Sequence, residues 1–261
     1  MRVHERTNTQ RMKDTVMLLT GGGGGIARGV ARAFAREGGD IILVDIVPEG
    51  MERTKKELED EFGSNVVCMV ADGSKEEEVK AAIDEGVSHF GQLNTLINSA
   101  QASAAGVPLV EQSKEQFDLA INTGLYATFF YMKHAFPYLK ETQGSVINFA
   151  SGAGINGNPG QASYAAAKEG IRGLSRVAAN EWGVYNINVN VVLPLVATDA
   201  LVQWGKENPE MYEKNLHDIP LGRYGDAEYD VGGVCLFLAG LDATYVTGDT
   251  LFIQGGSGMK P

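Results

Sequence analysis

The chain has 261 residues, of which 44% are hydrophobic and 21% are charged, values typical of a folded globular protein and not of a disordered one. Its 22 Lys and Arg residues against 33 Asp and Glu give a net charge of −11, which disfavours binding to the phosphate backbone of nucleic acid. Gly is frequent, at 33 residues, and no collagen-like repeat accompanies it, so the excess is expected in turns and ligand loops.

Short apolar runs alternate along the chain with segments of helical periodicity. The runs predicted as strands are Val16–Thr20, Ile41–Asp45, Asn65–Val70, Thr95–Asn98, Ser145–Ala150, Ile187–Val192 and Thr250–Gln254. The predicted helices are Ile26–Glu37, Met51–Phe62, Glu76–Phe90, a long helix that ends near Leu139, and Ala162–Glu181. This alternation predicts βαβ units with right-handed crossovers, and therefore a parallel sheet with helices on both faces.

The predicted fold is a single-domain, doubly wound (Rossmann) α/β fold with about seven parallel strands. The domain is expected over residues 15–261, after a polar N-terminal arm, 1–14. The segment from Leu195 to Tyr224 is too polar and too often interrupted to be sheet. Because it follows the carboxyl end of a strand, it is predicted to be a substrate lid.

The sequence also predicts where the protein is found. The first 14 residues lack the apolar stretch of a signal peptide, and no apolar run is long enough to span a membrane. Cys68 and Cys235 lie inside apolar runs, which predicts two buried thiols with neither a disulfide nor a zinc site. The histidines show no spacing typical of metal ligands. We therefore expect a cytoplasmic protein with no metal, no nucleic-acid partner and no membrane partner.

Five consecutive glycines, Gly21–Gly25, stand between the first predicted strand and the first predicted helix. Glycine allows the backbone to approach a pyrophosphate, whose charge then faces a helix N-terminus. The run fits two patterns, Gly22-x-Gly24-x-x-Ala27 and Thr20-Gly21-x-x-x-Gly25-x-Ala27. A dinucleotide site is predicted in either register, and a flexible turn is the alternative.

Asp45 ends the second predicted strand. A carboxylate there can accept hydrogen bonds from the adenosine ribose hydroxyls of a dinucleotide. It would repel a 2′-phosphate by roughly 4 kcal/mol at about 4 Å and an effective dielectric constant near 20. Neither the glycine loop nor Val44–Val47 contains a Lys or Arg that would offset this repulsion. The sequence therefore favours NAD (NADH) over NADP, with a helix-capping Asp as the alternative.

Three residues downstream of the fifth predicted strand form a candidate acid–base group. Ser151 follows the strand directly, and Tyr164 and Lys168 are four residues apart, on one face of a predicted helix. A nearby ammonium favours phenolate, and each unit by which the phenol pKa falls is worth about 1.4 kcal/mol. The Ser151 hydroxyl could hold a reacting oxygen while Tyr164 exchanges its proton.

With these motifs, the sequence resembles the short-chain dehydrogenase/reductase family over nearly its whole length. The glycine loop of that family corresponds to the second pattern above, Thr20, Gly21, Gly25 and Ala27. The resemblance implies an oxidoreductase that transfers hydride between a carbinol and nicotinamide. It implies that Tyr164 is the general acid/base and that Ser151 positions the substrate oxygen. Lys168 is then expected to bind the nicotinamide ribose and lower the Tyr164 pKa, and Asn122 to support a water-linked proton relay to Lys168.

The resemblance also implies the ligand contacts and a homotetramer. The residues expected to bind NAD follow the predicted strands: Thr20, Gly21, Gly25, Ile26, Asp45, Ile46, Asp72 (in the adenine pocket), Gly73, Asn98, Tyr164, Lys168, Pro194, Val196 and Thr198. The residues expected to contact substrate are Gln101, Ser151, Ile155, Tyr164, Leu195 and Trp204. Gln101 and Leu195 each stand where the family pattern has Gly, so both are expected to shape specificity.

Four peptides are similar to one branch of that family, the bacterial bile-acid 12α-hydroxysteroid dehydrogenases. They are Ala100–Ser103, Gly124–Thr128, Tyr138–Ser145 and Tyr164–Arg172. The similarity implies reversible oxidation of a steroid 12α-hydroxyl to a ketone, with a small-molecule steroid as substrate.

The predicted lid suits a bulky apolar substrate. Its apolar side chains could wall a flat hydrocarbon, and its cationic or titratable residues Lys206, Lys214, His217 and Arg223 are candidate partners for a carboxylate. A lid that packs those apolar residues on the domain remains an equal alternative. Other possible functions are dehydrogenation at another steroid position, action on a non-steroid alcohol or ketone, and dinucleotide sensing without catalysis.

Overall fold

The structure, a computed structural model, describes residues 10–258. Of the predicted N-terminal arm, residues 1–9 lie outside this range. The described end of the arm packs on the domain: Met12 is buried among core side chains, and the Arg11 guanidinium donates a hydrogen bond of 2.9 Å to Glu37. These contacts bring the chain to the start of the first strand.

Seven parallel strands form one sheet. They are β1 (Val16–Thr20), β2 (Asp40–Asp45), β3 (Val66–Val70), β4 (Thr95–Asn98), β5 (Ser145–Phe149), β6 (Asn188–Pro194) and β7 (Thr250–Ile253). Their order across the sheet is β3-β2-β1-β4-β5-β6-β7, and every neighbouring pair is parallel. The predicted doubly wound fold with seven strands is thereby confirmed.

Ten α-helices connect the strands of the described chain. They are α1 (Gly25–Arg36), α2 (Pro48–Phe62), α3 (Glu76–Phe90), α4 (Lys114–Ala120), α5 (Ala127–Thr142), α6 (Gly152–Asn156), α7 (Ala162–Trp182), α8 (Asp199–Glu207), α9 (Pro209–His217) and α10 (Gly232–Ala239). Shorter 3-10 turns lie at Leu109–Glu111, Gly183–Tyr185 and Leu241–Ala243, and π-helical turns at Ile121–Tyr126 and Ala227–Val231. Within residues 10–258, no helix is long and apolar enough to cross a membrane.

Burial on both faces explains the uninterrupted apolar runs of the central strands. Every residue of β1 and of β5 is buried, as expected for a parallel sheet covered by helices on each side. One face packs against α1, α2 and α10, and the other against α3, α5 and α7. β3 lies at an edge and is half-buried, so Cys68 is only partly buried, whereas Cys235 is fully buried as predicted.

Two helical regions differ from the sequence prediction. α10 was predicted only as an apolar run, because its residues are apolar around the whole helix and show no amphipathic period. Most of its side chains pack against α1 and β5, where polar groups would be disfavoured, and Phe237 is exposed. The predicted long helix that ends near Leu139 is interrupted, because the π-helical turn Ile121–Tyr126 separates α4 from α5.

The predicted lid, 195–224, consists mainly of the helix pair α8 and α9. The Tyr212 ring packs on Gly205, where a β-carbon would lie 2.4 Å from the ring, and it contacts the Tyr224 ring at 5.2 Å between centroids. The base of the lid is attached to the domain by the hydrogen bonds of Gly225 N to Leu195 O (3.0 Å) and Ala197 N to Gly225 O (3.1 Å).

The strand order reverses direction between β1 and β4. In doubly wound folds, loops that leave the two sides of such a point diverge and open a crevice at the carboxyl ends of the strands. The fold therefore brings together the residues that follow β1, β2, β4 and β5.

Candidate active site

A cleft of about 490 Å³ lies at this crevice. Many of the predicted site residues line it: Thr20, Gly21, Ile26, Asp45, Ile46, Asp72, Gly73, Asn98, Gln101, Ser151, Tyr164, Lys168 and Pro194. Acidic side chains line one end, and the Ser151, Tyr164 and Lys168 side chains line the other. The cleft therefore has two chemically different halves.

The glycine loop begins in a backbone conformation that requires glycine. Gly21 has φ +76°, and a β-carbon on it would lie 3.3 Å from the Ala100 backbone. The buried Thr20 hydroxyl accepts hydrogen bonds from the amides of Ser99 (3.0 Å) and Ala100 (3.1 Å). Gly25, also at positive φ, begins α1. The loop is thus tied to the β4 loop, and Ile26 and Ala27 at the N-terminus of α1 line the cleft, an arrangement that suits a phosphate.

Asp45 links the glycine loop to the start of α2. One carboxylate oxygen accepts a hydrogen bond from Gly23 N at 3.0 Å, and the other accepts one from Val47 N at 3.1 Å. The carboxylate is half-buried and lines the cleft. It can therefore hold the loop in place and still accept from a ligand, since each carboxylate oxygen has a second lone pair.

Asp72 gives this end of the cleft a second carboxylate. One of its oxygens accepts hydrogen bonds from the Ser74 hydroxyl (2.7 Å) and the Ser74 amide (2.9 Å), which hold the pKa of Asp72 below its usual range. Lys168, at the opposite end, is the only Lys or Arg among residues 10–258 that lines the cleft. Asp45 and Asp72 therefore face any ligand in this half without a lining cation.

A chain of buried amides lies under the middle of the cleft. Asn98 donates to Asn148 Oδ1 at 2.8 Å, and Asn148 donates to Ser175 Oγ at 2.8 Å. The carbonyl oxygen of the Asn98 side chain is buried and has no hydrogen-bond partner in the part of the chain that the structure describes. An unsatisfied buried acceptor costs about 1–3 kcal/mol, so this atom marks a place where a ligand donor would be stabilised.

The first turns of α7 bring Tyr164 and Lys168 to the other end of the cleft, beside Ser151. The Lys168 ammonium donates to the Phe149 carbonyl oxygen at 2.7 Å and lies 5.6 Å from the centroid of the Tyr164 ring. Ser151 caps α6 by accepting from Ala153 N at 3.1 Å. Three groups that can exchange or orient a proton thus face one space.

Burial governs the protonation of both α7 side chains. Burial lowers the pKa of Lys168 to about 7. It raises the pKa of Tyr164 above the ordinary value, and a hydrogen bond with Ser151 partly lowers it again. Desolvation and the Ser151 hydrogen bond are thus the two effects that set the direction of the Tyr164 pKa in the protein alone. That Lys168 lowers this pKa stays a prediction from the family resemblance.

Lys168 should make the stability of the free protein depend on pH. The folded protein releases the Lys168 proton near pH 7, whereas an unfolded chain holds it to about 10.5. Folded molecules bind fewer protons between these values, so the unfolding free energy rises with pH there. Lys168→Met removes the cost of a buried charge. We expect the unfolding free energy of Lys168→Met to exceed that of the wild-type protein most at about pH 6. This difference should shrink by several kcal/mol, at most about 5, toward pH 10.

Urea unfolding of the wild-type protein and of Lys168→Met between pH 6 and pH 10 measures the difference in their unfolding free energies. Lys133→Met is the matched control, because Lys133 is exposed and has no burial cost to remove. A Lys168→Met difference that is constant with pH would show that Lys168 keeps an ordinary pKa in the folded protein.

Among the four predicted catalytic residues, Asn122 has its side chain outside the cleft. It lies on the π-helical turn with an exposed side chain and is not among the residues that line the cleft. The next residue, Thr123, lines the cleft, and its hydroxyl accepts from Ala102 N at 3.0 Å. The predicted relay role of Asn122 therefore has no support in the position of its side chain.

Three predicted cofactor contacts lie on the other side of the glycine loop. Gly25, Val196 and Thr198 line a separate cavity of about 350 Å³ between the loop, α2 and the base of the lid. Thr198 caps α8 by accepting a hydrogen bond from Leu201 N at 3.2 Å. These residues border the phosphate-facing loop without reaching the main cleft.

Three predicted substrate contacts do not line the cleft either. Ile155, on α6, packs against a small core cluster. Leu195 lies at the base of the lid, where its amide donates to Ile253 O at 2.9 Å, and Trp204 lies on α8. Among the predicted carboxylate partners, Arg223 is engaged by both oxygens of Asp230, at 2.6 and 3.0 Å. Lys206, Lys214 and His217 are exposed.

Several lining residues were not predicted. The cleft wall between Asn98 and Tyr164 also includes Ser99, Ala100, Ala102, Thr123, Ala127, Thr128, Tyr131, Phe149 and Ala150. The residues after β4 and β5 could have been found from the strand ends, since all carboxyl ends share one edge. Those on α5 gave no such signal. Among residues 10–258, no group of three His, Cys, Asp or Glu side chains is arranged to hold a metal ion.

Comparison with known proteins agrees with this fold. Residues 22–258 match a family model described as Enoyl-(Acyl carrier protein) reductase. The chain is 52% identical over 252 residues to a 12α-hydroxysteroid dehydrogenase of Clostridium sp. (strain ATCC 29733 / VPI C48-50), covering 94% of this chain and 97% of that protein.

Solved structures give the same picture. The structure resembles that of levodione reductase, with a TM-score of 0.89, 33% identity, and coverage of 95% of this chain and 98% of that one. It also resembles an NAD+-bound xylitol dehydrogenase, with a TM-score of 0.88, 28% identity, and coverage of 94% and 99%. All of these likenesses extend over nearly the whole chain.

Proposed function

The chain belongs to the short-chain dehydrogenase/reductase family and is an oxidoreductase of CH–OH groups, and from this premise we propose that it is an NAD-dependent 12α-hydroxysteroid dehydrogenase. Its substrate would be a bile acid, whose 12α-hydroxyl it interconverts with the 12-ketone. The identity of 52% to a 12α-hydroxysteroid dehydrogenase is the observation that carries this substrate assignment.

In this proposal, Tyr164 exchanges the proton of the reacting oxygen. The Ser151 hydroxyl is a hydrogen-bond partner of the Tyr164 phenol, so an oxygen bound between them can be oriented while the proton moves. Lys168 is held by the Phe149 carbonyl, with its ammonium near the Tyr164 ring and available to a ribose hydroxyl. The bound nicotinamide supplies the hydride chemistry, which side chains lack.

The residues of the cleft fit a nicotinamide dinucleotide. The glycine loop and the N-terminus of α1 suit its phosphates, and the unsatisfied carbonyl oxygen of Asn98 can accept from a ligand donor beneath the middle of the cleft. Asp45 and Asp72 face the end expected to hold adenosine, and no Lys or Arg of the described chain lines the cleft beside them. This charge distribution supports NAD over NADP as the cofactor.

On the substrate side, Gln101 is the predicted specificity residue that lines the cleft. We propose that the lid closes the same space from the other side, with Leu195 and Trp204 as apolar contacts once substrate is bound. Lys206, Lys214 or His217 would then meet the carboxylate of a bile acid at the rim, since Arg223 is already paired with Asp230. A cytoplasmic homotetramer stays a prediction from the family resemblance.

Oxidation of two bile acids with NAD tests the substrate assignment. Deoxycholate has 3α- and 12α-hydroxyls, and chenodeoxycholate has 3α- and 7α-hydroxyls. We expect NADH to form with deoxycholate and not with chenodeoxycholate, as measured by the absorbance of NADH. Mass spectrometry of the deoxycholate product should identify the 12-ketone. A parallel reaction with NADH and a short 3-oxoacyl thioester tests the activity named for a 35% identical relative, the 3-oxoacyl-[acyl-carrier-protein] reductase of Thermotoga maritima.

Each outcome points to a different substrate. Turnover of both bile acids would indicate the 3-position and would contradict the 12α assignment. Reduction of the thioester with no bile-acid turnover would replace the steroid by an acyl substrate. In both cases the dehydrogenase chemistry of Tyr164 would stand.

A further inference from the structure

The helix that carries Tyr164 begins without a cap of its own. Gln161, the residue before the first turn of α7, makes no side-chain hydrogen bond to that turn. The first amides of a helix have no partner inside the helix, so they need acceptors from elsewhere. Tyr164 lies in this first turn, and its position therefore depends on what binds the amides around it.

A distant glutamine supplies the missing partner. The Gln112 side-chain oxygen accepts from Ser163 N at 3.2 Å, and its amide nitrogen donates to Ser163 Oγ at 2.9 Å. Ser163 is fully buried and directly precedes Tyr164. Gln112 follows the 3-10 turn Leu109–Glu111, 51 residues earlier in the chain. Both hydrogen-bonding groups of one carboxamide are thus used on the residue next to Tyr164.

A second contact joins the same two segments. Gly106 N donates to Gly160 O at 2.9 Å. Both glycines have positive φ, and a β-carbon on Gly160 would lie 3.0 Å from Gly106 Cα. Segment 101–112 begins with Gln101 and Ala102 in the cleft wall, so a wall of the cleft is attached at two points to residues 160–163.

We propose that Gln112 is a positioning residue for Tyr164, and that segment 101–112 couples the substrate side of the cleft to the placement of the phenol. The proposal rests on the proposed function only in assigning the proton transfer to Tyr164. Proton transfer requires hydrogen-bond geometry at the reacting oxygen, and displacement of about 1 Å can cost on the order of 100-fold in rate. A carboxamide that fixes Ser163 through two bonds limits such displacement.

Gln112→Met keeps the side-chain length and removes both hydrogen bonds to Ser163. We expect kcat to fall by about 10-fold or more, with the KM for NAD within about twofold of the wild-type value because Gln112 is not a cleft residue. Gln112→Glu retains acceptors for both the Ser163 amide and its hydroxyl, and it should recover most of the lost kcat.

Gln116→Met is the matched control. Gln116 completes the capping box of α4 by accepting from Ser113 N at 3.0 Å, and it makes no contact with α7 in any hydrogen bond of the described chain. It should lower stability to a similar extent and leave kcat unchanged. Equal kcat values for the Gln112→Met and Gln116→Met variants would reduce Gln112 to a structural role and overturn the proposal.

A titration of the phenol needs no substrate and separates this inference from the proposed function. The difference in tyrosinate absorbance between each protein and its Tyr164→Phe partner gives the pKa of Tyr164. Because burial raises that pKa, we expect Gln112→Met to lower it and Gln116→Met to leave it unchanged. An unaltered pKa in Gln112→Met would contradict the positioning role even in a protein that oxidises no bile acid.

Discussion

Tyr164→Phe should lower kcat by about 10²–10⁴-fold while NADH binds with nearly wild-type affinity. General acid–base catalysis by a positioned side chain contributes a factor of this size, and the substitution removes only the hydroxyl. The ring remains, so the packing beside the Lys168 ammonium, 5.6 Å from the ring centroid, is retained. Steady-state oxidation of deoxycholate measures kcat, and titration of NADH fluorescence measures cofactor binding.

Tyr138→Phe is the control for this experiment. The Tyr138 hydroxyl donates to Asp84 at 2.8 Å, outside the cleft on α5, so its loss should leave kcat unchanged. If Tyr164→Phe retained more than about a tenth of wild-type turnover, general acid–base catalysis by Tyr164 would be ruled out. A protein that senses the dinucleotide without catalysis would instead keep its function in both variants.

The parts of the fold that could be predicted are those where local pattern and tertiary environment agree. β1 and β5 are apolar because both of their faces are covered, and the helices between strands show amphipathic periods. Tyr164 and Lys168 could be placed together because an α-helix brings residues four apart onto one face. These two rules suffice for the sheet and for the acid–base end of the cleft.

Asn122 is a residue whose side-chain direction could not be predicted from the sequence. Its role was inferred from the family resemblance, which gives its place in the sequence but not the direction of its side chain, and residues 121–126 form a π-helical turn. A π turn inserts an extra residue and rotates the following side chains relative to those before it. Thr123 consequently faces the cleft and Asn122 faces outward, and neither spacing nor composition reveals the insertion.

Other features could not be predicted because they depend on contacts between residues far apart in the sequence. Ser163 and Gln112 are 51 residues apart, and no sequence period connects them. α10 is apolar around its whole circumference, although Phe237 is exposed, and it therefore lacks the polar face by which helices are identified. The two alternatives for the lid, a wall for substrate and packing on the domain, involve the same apolar residues. The packing of Tyr212 on Gly205 shows that part of the apolar surface of the lid joins α8 to α9.

Asp45→Asn should shift the cofactor preference toward NADP. The repulsion of about 4 kcal/mol between Asp45 and a 2′-phosphate corresponds to a preference of about 10³ for NAD in the wild-type protein. Asn has no charge, so kcat/KM for NADP should rise by about 100-fold relative to that for NAD. Its one carbonyl oxygen can replace only one of the two acceptors now used by Gly23 N and Val47 N, so kcat/KM for NAD should fall by about 10-fold.

Asp40→Asn is the control, since Asp40 lies at the opposite end of β2 and accepts from Asn65 at 3.0 Å. Its cofactor preference should equal that of the wild-type protein. An unchanged ratio in Asp45→Asn, or a wild-type protein that uses NADP as well as NAD, would contradict the role assigned to Asp45.

Salt separates the two effects of the Asp45→Asn substitution. Repulsion between the Asp45 carboxylate and a 2′-phosphate is screened as ionic strength rises, because the Debye length falls from about 10 Å at 0.1 M to about 3 Å at 1 M. The loss of a hydrogen bond to the ribose hydroxyls or to Gly23 is not screened in this way. The NAD preference of the wild-type protein should therefore weaken with added salt, whereas the preference of Asp45→Asn should change little. Because the carboxylate is half-buried, this screening is partial. A wild-type preference equal to that of Asp45→Asn at every salt concentration would mean that shape or hydrogen bonding selects the cofactor, and that the charge of Asp45 does not.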